Sequence, residues 1–324
     1  MTPWALSMAV ALPVALAVDR WWGEPPVRLH PVVWMGHALG GAGRWVQRHT
    51  VQQPDTVDYK AFWLAALMWC AQAAIVLVAA GALQWLLHGL PWWCAGLLLG
   101  LLLKPLLAWT MLKSEVQAVE DALGQSLADG RARLAWLVSR DVAQLTDTQV
   151  RESAIESLAE NLNDSVVAPI FWFLLLGLPG AALYRFANTA DAMWGYRGLY
   201  KGQNWEWAGK WAARADDVLS FIPARITAVL LLLAGGTKGW ARACRLPAEA
   251  RQTPSPNSGW PMAAMALNLD VALRKPGVYV LNATGRTALA ADTASALVYA
   301  SKAVLALVVL AQAAMVLIVI GGAV

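Results

Sequence analysis

Two long apolar runs, Ala61 to His88 and Trp92 to Leu112, follow one another across a Gly89-Leu90-Pro91 turn. Each supplies the roughly 20 apolar residues that a helix needs to cross a bilayer, and together they predict a transmembrane helical hairpin over 61–112. Trp63 and Trp109 stand at its open ends and Trp85, Trp92 and Trp93 surround its turn, the placement of interfacial aromatic belts. A third run, Ala296 to Val324, predicts a C-terminal membrane helix over 296–324. Leu6 to Val18 is shorter and lacks the basic start of a cleaved signal peptide, so it reads as a retained N-terminal anchor over 4–18. Ala168 to Leu178 and Ile222 to Ala234 are each only about a dozen residues and contain or follow a proline, the class of re-entrant or interfacial segments. Neither is expected to span.

The fold class is therefore all-α, a polytopic integral membrane protein read as a single membrane-embedded domain over 1–324, with the region 113–295 gathered on one face. The segments 19–60 and 113–295, with Lys104 and Lys302, hold every Lys and Arg, and the excess of basic residues makes that face cytoplasmic. Composition agrees: 58% of the 324 residues are hydrophobic and 14% charged, far from a soluble domain. A net charge of +4 without a dense basic run argues against nucleic acid and suits anionic lipid or phosphorylated small molecules better. Cys70, Cys94 and Cys244 form no CxxC pair and read as packing residues. Lys104, the one charge inside a long apolar run, sits near enough to its end to snorkel.

Against this background the stretch from Arg140 to Arg197 is dense in carboxylates, amides and arginines. Thr146-Asp147-Thr148-Gln149 is a capping-box pattern that starts a helix running to about Asn161. Glu152, Glu156 and Glu160 recur every four residues and share one face of it. A solvated face neutralised by Arg151 and its neighbours is one reading. The other is a site for a metal or phosphate, because Asn161, Asn163 and Asp164 follow directly and hard oxygen ligands at that boundary suit a magnesium ion shared with phosphates. Further on, Arg185, Asn188 and Asp191 are spaced by three along a helical face, and Lys210 to Arg225 contains Arg214, the doublet Asp216-Asp217 and Arg225 beyond Pro223. Paired acids beside arginines fit Mg-nucleotide chemistry, with salt-bridged structural faces as the alternative. Asn257-Ser258-Gly259, within the proline-rich loop Pro247 to Pro261, is either a plain surface turn or one whose backbone amides approach an anion. No Walker A or dinucleotide fingerprint is present. Of the histidines, His30 in a polar His-Pro loop is the most open to a functional role.

The ordered set of motifs resembles the adenosylcobinamide-phosphate synthases of cobalamin biosynthesis, the CobD/CbiB family. The resemblance rests on Asp19 with the following GEPP and His30-Pro31-Val32, on Lys104-Pro105, and on Ala132-Arg133 leading to Arg140-Asp141. It continues through ESLAENLNDSVVAPIF, RFANTADAMWGYR, ADDVLSFIPARIT and SPNSGWPMAAMA with Tyr279 beyond, so it covers nearly the whole chain. The resemblance implies a ligase that joins adenosylcobyric acid to an aminoalcohol phosphate, typically (R)-1-aminopropan-2-ol O-2-phosphate, with ATP as co-substrate and Mg2+ as cofactor. It places the protein in the bacterial inner membrane with catalytic loops facing the cytoplasm, in contact with lipid and with other late cobalamin-pathway membrane enzymes as partners.

On that basis Glu156, Glu160, Asp191 and Asp217 are the candidate catalytic groups, and Glu160, Asp164, Asp216 and Asp217 the candidate metal ligands. His30, Arg140, Arg185, Asn188, Tyr196, Arg197, Arg214, Arg225, Asn257 and Gly259 are the candidates for binding substrate and phosphate. The chain departs from the family pattern in three places. Glu24 stands where Asp is usual, Asn163-Asp164-Ser165 replaces Ser/Thr-Asp-Gly, and Arg274-Lys275-Pro276-Gly277 replaces a Gly-Gly loop. The last departure bears on which aminoalcohol phosphate is used. The alternative function is a non-catalytic membrane regulator or sensor of the AmpE-like kind. A transporter would carry charges within its long apolar helices, where this chain has only Lys104.

Overall fold

The computed structural model describes residues 2–321. In chain order the helices are α1 (Thr2–Trp21), α2 (Pro31–Gln47), α3 (Tyr59–Leu87), α4 (Trp92–Leu103), α5 (Trp109–Leu123), α6 (Leu127–Leu134), α7 (Asp147–Leu162) and α8 (Ala168–Trp194). They continue with α9 (Lys210–Ala234), α10 (Gly236–Ala241), α11 (Leu246–Ala250), α12 (Gly259–Leu269) and α13 (Ala290–Gly321). Two short antiparallel ribbons interrupt them: β1 (Leu199–Tyr200) pairs with β2 (Gln203–Asn204), and β3 (Leu273–Lys275) with β4 (Tyr279–Leu281). The protein is an all-α polytopic membrane protein. Among the described residues six helical stretches are long and apolar enough to cross a bilayer, over 3–21, 59–87, 92–123, 147–194, 210–234 and 290–321.

The helices are longer than the apolar runs that announced them. Ile222 to Ala234 is the second half of the 25-residue α9, whose first half is polar. Ala168 to Leu178 belongs to α8, which follows α7 through a π-helical turn, Asn163–Val167. Hydropathy registers only the greasy half of each, so both looked too short; by length and composition the stretches that contain them can cross. The C-terminal helix likewise starts at Ala290, and residues 322–324 of the expected span lie outside the described residues. The run Trp92 to Leu112 is broken, because Pro105 has no backbone N–H to continue a helix: α4 stops at Leu103, and α5 begins at Trp109 after a 3-10 turn.

The chain divides into two compact units, one of residues 1–107, 168–219 and 313–324, the other of residues 108–167 and 220–312. In the first, α3 and α4 are consecutive helices, yet α4 lies chiefly on α1. Gly96 and Gly100, four apart, make this close approach: a Cβ on Gly96 would sit 2.7 Å from Val10 Cβ, and one on Gly100 2.7 Å from the Ala11 carbonyl oxygen. Small residues at that spacing are the usual means of tight helix packing within a bilayer. Ser7 Oγ adds a hydrogen bond to the Trp92 carbonyl (3.0 Å). The core lies where α2, α3 and α8 meet, with Trp69, Phe186, Trp194 and Trp205 packed among alanines. Inside α8, Gly177 takes φ +69°, a left-handed conformation that suits glycine, and breaks the helix just before Pro179. The Leu178 N–H that loses its helical partner donates instead to Gln84 Oε1 on α3 (2.8 Å), as a backbone group in hydrocarbon must.

The second unit is built around α7 and α12. Thr146 and Gln149 make the reciprocal capping box expected from sequence, and α7 ends within a residue of the predicted boundary. α12 is buried from Pro261 to Leu269 and packs against α7 and α11, which accounts for an apolar run with no polar face. β3 and β4 cover α7 from the other chain segment, with Gly277 at φ +73° in their turn.

Candidate functional site

The carboxylate stripe of α7 is not a solvated face. Glu152 and Glu156 are buried, and Glu160 is half-exposed. Three stacked acids would repel one another, so each buried one has to find a cation. Glu152 finds Arg274: its carboxylate accepts from Arg274 Nη1 at 2.5 Å and from the Arg274 backbone N–H at 3.2 Å. Glu156 finds Arg140, at 3.5 Å from Nη2, and the same nitrogen donates to Ser153 Oγ. Arg151, the residue that a solvated face would recruit, turns away to Glu120 (2.8 Å).

Anchored through Arg274, the β3–β4 ribbon carries Lys275 and Tyr279 to the same carboxylates. Burial first, then the charges of Glu156 and Glu160, push the Tyr279 phenol well above its ordinary range, so it stays protonated and donates. Lys275 acts on Glu156 electrostatically and lies over the Tyr279 ring. On the ion pair beneath, Glu156 Oε1 and the Nε and Nη1 of Arg140 are buried without a hydrogen-bond partner.

The π-turn after α7 positions the next acid. Asn163 accepts from Thr227 Oγ1 (3.1 Å) and donates to Asp164 Oδ1 (2.8 Å), which holds the half-exposed Asp164 by its carboxylate. π-turns inside helices recur at functional sites. Arg225 is taken up by the loop that follows α11: it donates to Asn257 Oδ1 (2.6 Å) and to the Pro256 carbonyl (3.1 Å), and stacks on Trp260. The backbone N–H groups of Asn257 and Ser258 both donate to Ser255 Oγ, and Gly259 packs its backbone against the Ala250 carbonyl with no room for a Cβ. In this structure Arg225, Asn257 and Gly259 therefore build the loop.

The remaining candidates lie in the first unit. Asn188 sits between Arg185 Nη1 (3.5 Å) and Asp216 Oδ1 (3.5 Å), linking α8 to α9. Arg197 is exposed and exerts its charge on Asp217. Asp191 stands at the C-terminal end of α8, where its carbonyl accepts from the Gly195 N–H (2.7 Å). Tyr196 stacks on Tyr200 with centroids 3.5 Å apart, a partner with no signal in the sequence beyond its aromatic ring. A hydrogen bond from Tyr196 lowers the Tyr200 phenol. Arg214 is exposed on α9.

His30 belongs to a constellation that pattern reading missed. Its Nε2 lies 3.1 Å from Glu24 Oε2; Glu24 Oε1 lies 2.8 Å from Lys104 Nζ, which also reaches Asp19 Oδ1 at 3.1 Å. Lys104 is 2% exposed and Asp19 1%. Lys104 does not snorkel to the interface as expected; two carboxylates hold it inside. A lysine immediately before a helix-breaking proline in an apolar run was the available signal.

Among the described residues no group of three His, Cys, Asp or Glu is placed to hold a metal ion. The carboxylates come singly and in pairs, which is the complement that Mg2+ needs when substrate phosphates and water complete its shell.

The chain matches the family model for CobD/Cbib protein over residues 12–318. It is 41% identical to a probable cobalamin biosynthesis protein CobD of Methanothermobacter thermautotrophicus, over 85% of this chain and 87% of that one. It is 40% identical to a protein of the same name from Thermococcus kodakarensis, over 82% of each. The cobalamin biosynthesis protein CobD of Chromobacterium violaceum is 38% identical over 83% of this chain and 82% of its own. No solved structure matches.

Proposed function

The chain belongs to the CobD/CbiB family of cobalamin biosynthesis, and from that membership we propose that it is an ATP-dependent ligase forming the amide between adenosylcobyric acid and (R)-1-aminopropan-2-ol O-2-phosphate. The observation that carries the reading is the pairing of Arg140, in the loop before α7, with the buried Glu156 of α7, a contact of 3.5 Å in which Glu156 Oε1 and Arg140 Nε and Nη1 make no hydrogen bond. A structural salt bridge would close on itself.

A carboxylate is a poor acyl donor, because its leaving group would be oxide. Its attack on the γ-phosphorus of ATP, with ADP leaving, gives an acyl phosphate. The amine then attacks the carbonyl carbon, phosphate departs, and the amine loses a proton. Mg2+, when bound, would neutralise phosphate charge. The chain's own residues hold and orient. Arg185, Asn188, Asp216, Asp217 and Arg197 offer cations and a paired acid suited to phosphates, and Arg140, Glu156, Glu160 and Asp164 offer groups suited to an amine and its phosphate. The membrane is the bacterial cytoplasmic one, with these groups on the inner side, as the distribution of Lys and Arg favours.

Purified protein in detergent, given adenosylcobyric acid, aminopropanol phosphate and MgATP, is expected to yield the amide by mass spectrometry. No product under conditions where a known synthase turns over would replace this reading with the regulator.

A further inference from the structure

We propose that the Arg140–Glu156 pair, roofed by Tyr279 and Lys275, is the seat of the aminoalcohol phosphate, with Glu156 holding its ammonium end and Arg140 with Lys275 its phosphate. The assignment rests on the synthase reading and says which substrate this cluster takes.

The geometry is that of an unfinished ion pair. Charge-assisted bonds close at about 2.7–2.9 Å, and elsewhere in the same unit they do: Arg151 makes three bonds to Glu120 at 2.8–3.1 Å, and Arg286 makes two to Asp292 at 2.6 Å. Arg140 stays 3.5 Å from Glu156. Glu156 is 5% exposed, yet its Oε1 has no hydrogen-bond partner, and neither do Arg140 Nε and Nη1. Leaving such groups buried and unpaired is costly, and the cost is removed by a ligand that brings a cation for the carboxylate and an anion for the guanidinium.

An aminoalcohol phosphate carries both, separated by two carbons and an oxygen. ATP carries only anions, which would meet the Glu152–Glu156–Glu160 stripe with repulsion, and the reacting end of adenosylcobyric acid is itself a carboxylate. The Tyr279 hydroxyl, 3.8 Å from Met262 Sδ, lies against Glu156 and closes the pocket on that side. Lys275 supplies a second cation from the end of β3 on the same ribbon. Glu152 is a positioning residue: through Arg274 it fixes the ribbon over the pair.

Steady-state rates of the full-length protein in detergent, with each substrate varied in turn, test the assignment. Arg140→Gln and Glu156→Gln are each expected to raise the KM for aminopropanol phosphate by roughly tenfold or more while leaving the KM of ATP and of adenosylcobyric acid within about twofold. Arg140→Gln should also lose the preference for the phosphorylated substrate over 1-aminopropan-2-ol, and Glu156→Gln should lose its preference for aminopropanol phosphate over isopropyl phosphate as competing ligand. Calorimetric titration of aminopropanol phosphate gives the same comparison for a variant that does not turn over. Lys275→Met, at a half-exposed ribbon position, should raise the same KM about threefold without touching α7. An active wild type whose variants keep the aminoalcohol KM, or raise the ATP KM instead, overturns the placement alone. A wild type that forms no amide overturns the synthase reading and this assignment with it.

Discussion

Two regions of this molecule bury opposite charges, and they do so differently. Around Lys104 the charges are closed: one ammonium meets Asp19 and Glu24 at 3.1 and 2.8 Å, and His30 reaches Glu24. Around Arg140 the pair is looser, with Nη2 3.5 Å from the Glu156 carboxylate. Burying charge is expensive in either place, and the first region recovers more of the expense through its shorter contacts. The first cluster ties the end of α1 and the loop before α2 to the break after α4, and the second is the pair to which the aminoalcohol phosphate is assigned above.

The comparison breaks most readily at Lys104. Lys104→Met leaves two acids buried without their cation, and the expected loss is about 3–5 kcal/mol of stability, seen as a sharp fall in thermal midpoint and yield in detergent. Adding Asp19→Asn and Glu24→Gln to it should recover most of that loss; if the triple variant stays as unstable as the single one, the cluster is not a closed electrostatic unit. A smaller effect is expected from Arg274→Met. It leaves Glu152, which is fully buried, with a lost partner and should cost about 2–3 kcal/mol, while hydrogen exchange speeds up in 273–281 as the ribbon lifts from α7. Glu156→Gln should sit at the other end of the scale. Removing a poorly compensated charge is expected to leave stability within about 1 kcal/mol of wild type while amide formation falls by about two orders of magnitude, the signature of a group kept for function at the expense of the fold. A large stability loss at Glu156 would place it with Lys104 and erase the distinction.

Much of the fold was legible because lipid imposes a blunt rule. Ala61 to His88 has no alternative to a membrane helix, and Thr146 with Gln149 caps α7 by purely local bonds. What the sequence leaves unsaid has one cause. Ile222 to Ala234 looked too short because hydropathy cannot see that Lys210 to Phe221 continues the same helix with polar side chains. Within the hairpin over 61–112 nothing local says that Gly96 and Gly100 face α1 rather than α3. At the site, periodicity put Glu152, Glu156 and Glu160 on one face, yet could not say that two of them are buried, nor that their cations come from 16 residues upstream at Arg140 and from 122 residues downstream at Arg274. At Arg225 the sequence shows a guanidinium without showing that Asn257 and Pro256 accept from it.

By itself the sequence determined the solvent, the class of elements and, through the order of its motifs, the family, since each depends on composition or on neighbours along the chain. Only the tertiary structure decided which charges are satisfied. Pairing is a matter of a few ångströms between residues far apart in the chain, and an acid held close by its cation and one held loosely are written with the same letter.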